Sequence, residues 1–183
     1  MQAPSGQSTA PEVRALLADG ALAGEWVLDP RESSIRLKSK SMGLVPVNGV
    51  FREFSGNGTI SPDGQVSGTV TVTAASIDTK NARRDKHLRS ADFFDSANNP
   101  HITFTVDGVQ PSGQAVAVTG ALAVRDHTRP LTFDAAASVQ GDGEVWLDAE
   151  VHINRADFGL SWNFLGAVSM HNTLTIHAVF IRR

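Results

Sequence analysis

The chain of 183 residues contains no cysteine, which excludes disulfides and thiolate-held metals. No uninterrupted apolar run approaches the roughly 18 residues that a membrane-spanning helix needs. A charge of one sign is also missing: 16 Lys and Arg against 19 Asp and Glu leave a net charge of -3. General nucleic-acid binders are normally strongly basic, so nucleic acid is not expected as a partner. The amino terminus lacks the early cation and the apolar stretch of about 7–15 residues that make an export signal. Its first cation is Arg14, and charges interrupt the apolar residues that follow. With Met1 as the start, a cytoplasmic protein is expected.

Signatures of catalysis are scarce as well. There is no G-x-S-x-G, no cysteine nucleophile and no glycine-rich phosphate loop. The six histidines (His87, His101, His127, His152, His171, His177) form no H-x-x-x-H pair and have no carboxylate at ligand spacing. Nothing singles out a carboxylate pair for glycoside hydrolysis. A non-enzymatic protein without metal or cofactor is the expectation.

What the chain has in abundance is alternation. From Trp26 onward apolar and polar residues alternate with period two, as in Val66-Ser67-Gly68-Thr69-Val70-Thr71-Val72 and Ile102-Thr103-Phe104-Thr105-Val106. Similar runs over 116–124, 131–139, 145–153 and 174–180, with Ile35-Leu37 and 47–60, predict about eight strands, each with one apolar face. Pro62-Asp63-Gly64, Pro111-Ser112-Gly113 and Gly141-Asp142-Gly143 supply turn chemistry, so consecutive strands are antiparallel. Such strands close as an up-and-down barrel or stack as a two-sheet sandwich. The small inward residues Gly68, Gly120, Ala135, Ala137 and Ala149 fit either a ligand cavity or facing aromatics. The length suits one domain, over residues 24–183. Residues 1–23 read as a flexible arm, disordered to about residue 10, with a short helix over Pro11–Ala18.

Two stretches break the pattern. Ser76–Asp95 carries Lys80, Arg83, Arg84, Lys86 and Arg89 around Asp85, together with Leu88, Phe93 and Phe94. It predicts a short helical connection with a basic and an apolar side. The basic side is either an anion site, with Lys80, Arg83, Arg84 and His87 on a phosphate or carboxylate, or a solvated helix face balanced by Asp78, Asp85, Asp92 and Asp95, with Asp85 pairing Arg89 at i,i+4. The second stretch, Asn154–Phe164, alternates Phe158, Leu160, Trp162 and Phe164 with polar residues, and either lines a pocket or plugs one end of the fold.

Several motifs in order resemble the YceI-like family, lipocalin-like proteins regarded as polyisoprenoid binders. They include Trp26-x-Leu28-Asp29, Gly49-x-Phe51, Ser76-Ile77-Asp78-Thr79, Arg84-Asp85-x-His87-Leu88-Arg89-Ser90, Asp92-Phe93-Phe94-Asp95, Pro100-x-Ile102-x-Phe104 and Arg155-x-Asp157-Phe158-Gly159-Leu160. The resemblance implies an all-β, eight-stranded antiparallel barrel holding a long isoprenoid or fatty lipid, with Asp85 orienting Arg84 or His87. The expected ligand contacts are Arg84, His87, Leu88 and Phe93 from the connection, and Phe104, Leu122, Phe133, Leu147 and Ile176 from inward strand faces. Phe158 and Trp162 join them from the aromatic stretch. The chain departs from the family in having Lys40-Ser41 where a Lys-His pair is common. A lipid-modifying enzyme using Asp85, His87 or Asp157, or a filled barrel serving as a structural or interaction module, are the rival readings. A transient membrane contact and a homodimer are compatible with the pattern.

Overall fold

In a computed structural model, residues 10–141, 143–163 and 168–183 are described. The disorder expected at the start, and Asp142 and Phe164 of the two motifs above, lie outside the described residues except for Ala10.

Among the described residues eleven strand segments form one antiparallel sheet: β1 (Gly24–Leu28), β2 (Ser34–Ser41), β3 (Val45–Phe51), β4 (Phe54–Ile60), β5 (Val66–Thr73), β6 (Ile77–Asp78), β7 (His101–Ser112), β8 (Ala115–Val124), β9 (His127–Gln140), β10 (Glu144–Asn154) and β11 (His171–Arg182). They make eight strands, because the first three are each broken in two. Strand β11 pairs with β1 through Phe180–Arg182 and with β2 through Thr173–His177. Likewise β4 and β3 continue one another, as do β5 and β6. Residues 47–60 are therefore two segments bent at Arg52-Glu53, not the single strand expected from alternation.

The three breaks are tied together. Arg52 N–H donates to the Ser76 carbonyl at 3.2 Å and Thr73 N–H to that of Glu53 at 2.9 Å. At the first break Asp29 N–H donates to the Val179 carbonyl, and Val179 N–H to Ser33 Oγ at 2.9 Å. Thus the ladder stays satisfied through the bends.

The lower half is a closed ring, β1-β4-β5-β7-β8-β9-β10-β11 and back to β1. The upper half ends at the free edge of β6. Helix α2 (Ala82–Arg89) and the return to Pro100 cover that edge, the usual remedy for unpaired strand groups. Arg89 Nε and Nη2 donate to the carbonyls of Ala75 and Ile77 at 2.6 and 2.9 Å, so Arg89 does not pair with Asp85. Leu88 and Phe94 pack on the Ile35, Phe51, Val72 and Ile77 core.

Helix α1 (Ala10–Ala18) lies at the other end. Its buried Val13 joins Leu22 and Trp26 in the lower core, and Trp26 Nε1 donates to the Leu22 carbonyl at 3.0 Å. Strand β7 runs past Val106 to Ser112 because a register shift between Val106 and Gly108 restores the inward phase at Val109.

Candidate functional site

The upper half encloses an apolar cavity of about 400 Å³. Its walls come from the inward positions of β2, β3, β8 and β11 (Ile35, Leu37, Phe51, Leu122, Leu174, Ile176). Strand alternation alone turns these residues inward. The mouth is built by α2 and, from the second stretch that breaks the alternation, by Arg155, Phe158, Leu160 and Trp162, with Val168 beside them.

At the mouth every titratable lining group is basic: Lys40, Arg84, His87 and Arg155, with no Asp or Glu, whereas Lys80 and Arg83 of the expected anion site are exposed and do not line it. Arg84 is held by Thr79, donating from Nε to Thr79 Oγ1 at 2.7 Å and from Nη2 to the Thr79 carbonyl at 2.8 Å. Asp85 is buried and accepts from Thr79 N–H at 2.9 Å and Thr79 Oγ1 at 2.5 Å. It steadies Arg84 through Thr79 rather than by direct contact, and it does not line the cavity. His87 Nε2 lies 2.9 Å from Asp92 Oδ2, and its ring meets Trp162 and Phe93 edge-on at 4.5 and 5.1 Å between centroids.

Arg155, quoted above within a motif but not among the expected contacts, also lines the cavity. It is 6% exposed, and burial lowers its pKa from the ordinary arginine value. Its guanidinium donates to the carbonyls of Leu160, Val168 and Ser169, stapling the mouth segment to itself, and lies 5.4 Å from the Phe93 ring centre. Among the described residues it has no carboxylate partner. Its role is unreadable from sequence because the three carbonyls become neighbours only when residues 168–169 fold back.

Of the expected contacts, Arg84, His87, Leu88, Phe93, Leu122, Phe158, Trp162 and Ile176 line this cavity. Phe104, Phe133 and Leu147 do not. Leu147 lines a separate apolar cavity of about 120 Å³ in the lower half, beneath Val13, Leu17 and Trp26. Phe104 and Phe133 line neither; their rings pack against each other at 5.6 Å between centroids. Gly120 accommodates an aromatic, since a Cβ there would come within 2.8 Å of the Phe104 ring, while Gly68 faces the Asn57 and Gly58 backbone.

A closed eight-stranded antiparallel barrel with an apolar chamber and a basic mouth is a lipocalin-like barrel. Residues 26–180 match the sequence model of the YceI-like domain. Protein YceI of Escherichia coli O157:H7 is 32% identical over 169 residues, 87% of each chain. The chain belongs to the YceI-like family. Two solved structures share the fold. Burkholderia cenocepacia BcnA superimposes with a TM-score of 0.76 at 24% identity, covering 83% of this chain and 98% of that one. A polyisoprenoid binding domain from Saccharophagus degradans, implicated in plant cell wall breakdown, gives 0.71 at 16% identity, covering 86% and 98%.

Proposed function

We propose that this protein sequesters and carries a lipid with a long apolar tail, an isoprenoid or isoprenoid-quinone-like molecule, without chemically changing it. The observation that carries the reading is the apolar chamber of about 400 Å³ opening at a mouth of basic side chains. Tail burial supplies the affinity at roughly 0.8 kcal/mol per methylene, while Arg84 and His87 orient an anionic or polar head group. The Saccharophagus degradans neighbour, described as polyisoprenoid-binding, supports the isoprenoid class. A fatty acid meets the same chemistry. The enzyme reading is weaker, because Asp85 is engaged by Thr79 and Asp157 is exposed outside the chamber.

Loading from an anionic membrane surface fits the same site. Met42, Leu44 and Val45, on the β2–β3 turn beside the mouth, are 73%, 88% and 55% exposed. The exposed Lys38 and Lys40 stand next to them.

Native mass spectrometry of the freshly purified protein, followed by extraction, tests the carrier reading. A stoichiometric lipid adduct is expected. An apo mass that also refuses added prenyl and fatty ligands would overturn it.

A further inference from the structure

The barrel interior is divided rather than continuous. Along β7, Ile102 lines the upper cavity and Val106 the lower, with Phe104 between them. Along β8, Leu122 faces the upper cavity and Val118 the lower, with Gly120 between. Phe133 sits opposite Val118 across the β8–β9 ladder, and its ring meets that of Phe104 at 46°. Phe104 also packs against both the lower core and the Leu122, Val124, Phe158 and Leu160 core. The pair is thus a partition at mid-height. Gly120 makes room for it, since a Cβ there would stand 2.1 Å from the Thr105 carbonyl oxygen and collide with the Phe104 ring.

We propose that the Phe104–Phe133 pair is a floor that sets the length of the bound tail, and that the preferred ligand carries a chain of about 15–16 carbons. The proposal rests on the carrier reading above. An apolar cavity of about 150 Å³ accepts benzene, roughly 25 Å³ per carbon. On that scale the upper chamber, about 400 Å³, takes about 16 carbons. That corresponds to three isoprene units or a palmitoyl-length chain, with the head group left among Lys40, Arg84 and His87. A longer tail has to leave the mouth or displace the floor. Below the floor the second cavity, about 120 Å³, holds roughly 5 further carbons. Removing the Phe104 ring frees roughly 6 more and joins the two spaces.

The test is binding of a prenyl monophosphate series with one to five isoprene units, from the dimethylallyl to the C25 compound, to delipidated full-length protein. Calorimetry gives the affinities and native mass spectrometry the stoichiometry. For the wild type, affinity rises roughly a hundredfold or more per added unit up to three units, as apolar burial dictates, and then stops rising. In Phe104→Ala the rise continues to the fourth and fifth units. Should that variant fail to fold by circular dichroism, Phe133→Leu thins the same partition and extends the rise by at least one unit. A wild-type affinity that keeps climbing through five units, or a plateau unmoved in a folded variant, overturns the floor and leaves the carrier reading standing. Refusal of every member overturns the carrier reading, and the floor with it.

Discussion

Thr79 Oγ1 donates to the Asp85 carboxylate at 2.5 Å while accepting from Arg84 Nε at 2.7 Å. One hydroxyl therefore links the buried anion of the connecting segment to the cation at the cavity mouth. Thr79 is 4% exposed and Asp85 7%, so neither has water to fall back on. Asp85 would keep only the Thr79 N–H if the hydroxyl were lost. Thr79→Val is expected to cost about 1–3 kcal/mol of stability, the range for leaving a buried polar group unsatisfied. Thr79→Ser restores most of it. Urea denaturation of the three proteins checks this; equal midpoints for Val and Thr would show that the hydroxyl carries no load.

The same segment shows how far the sequence can be read. Its place and its helix were legible because five cations and three large apolar residues interrupt a strict alternation. Its division into a basic and an apolar side was not, since Arg84 and His87 line the chamber together with Leu88. The strands themselves were legible for the converse reason. The breaks at 29–33, 52–53 and 74–76 were not, because Arg52 and Glu53 look like any polar positions until tertiary hydrogen bonds to Ser76 and Thr73 fix the bend. The shift at Asp107 was hidden likewise. Small inward residues left two meanings open, a ligand space or a seat for aromatics. Gly120 seats Phe104, while the open space lies higher up, between the bent β2–β3 hairpin and α2. No local pattern carries that division, since it depends on which rings meet across the barrel.

Acid sensitivity is expected at Asp78, which tethers β6 beside α2. Its carboxylate accepts from Arg52 Nη2 at 2.7 Å, and from Lys80 N–H and Nζ at 2.9 and 3.3 Å. Its hydrogen bond from Arg52 is the chief cause that holds its pKa far below the ordinary value of 3.8. A depressed folded-state pKa stabilises the fold above the unfolded value and loses that contribution as pH falls through and below it. Asp29, lowered by its hydrogen bonds with Arg31, acts in the same direction. Asp78→Asn should lower the urea midpoint at pH 7, with the gap to wild type narrowing steadily as pH falls below about 4. Parallel curves for the two proteins across that range would contradict the assignment.

The mouth-side turn gives the last expectation. Met42 holds a left-handed backbone at φ 52°, a conformation uncommon for a side-chain-bearing residue, followed by Gly43 at φ 70°. The turn thereby lifts Met42 and Leu44 into solvent with no packing partner in the core clusters. Burying two such side chains in a bilayer interface is worth up to about 1.5–3 kcal/mol each, and each nearby lysine adds about 1 kcal/mol at an anionic surface. Cosedimentation with phosphatidylglycerol-containing vesicles should exceed that with pure phosphatidylcholine and weaken with salt. The double substitution Met42→Ser, Leu44→Ser should lower the vesicle affinity at least roughly tenfold, while stability shifts by no more than about 0.5 kcal/mol, as for other surface changes. Lys38→Ala should reduce only the anionic preference, because its charge is removed while the apolar tip remains. Equal partitioning of wild type and double variant onto anionic vesicles would mean that the tip meets no membrane.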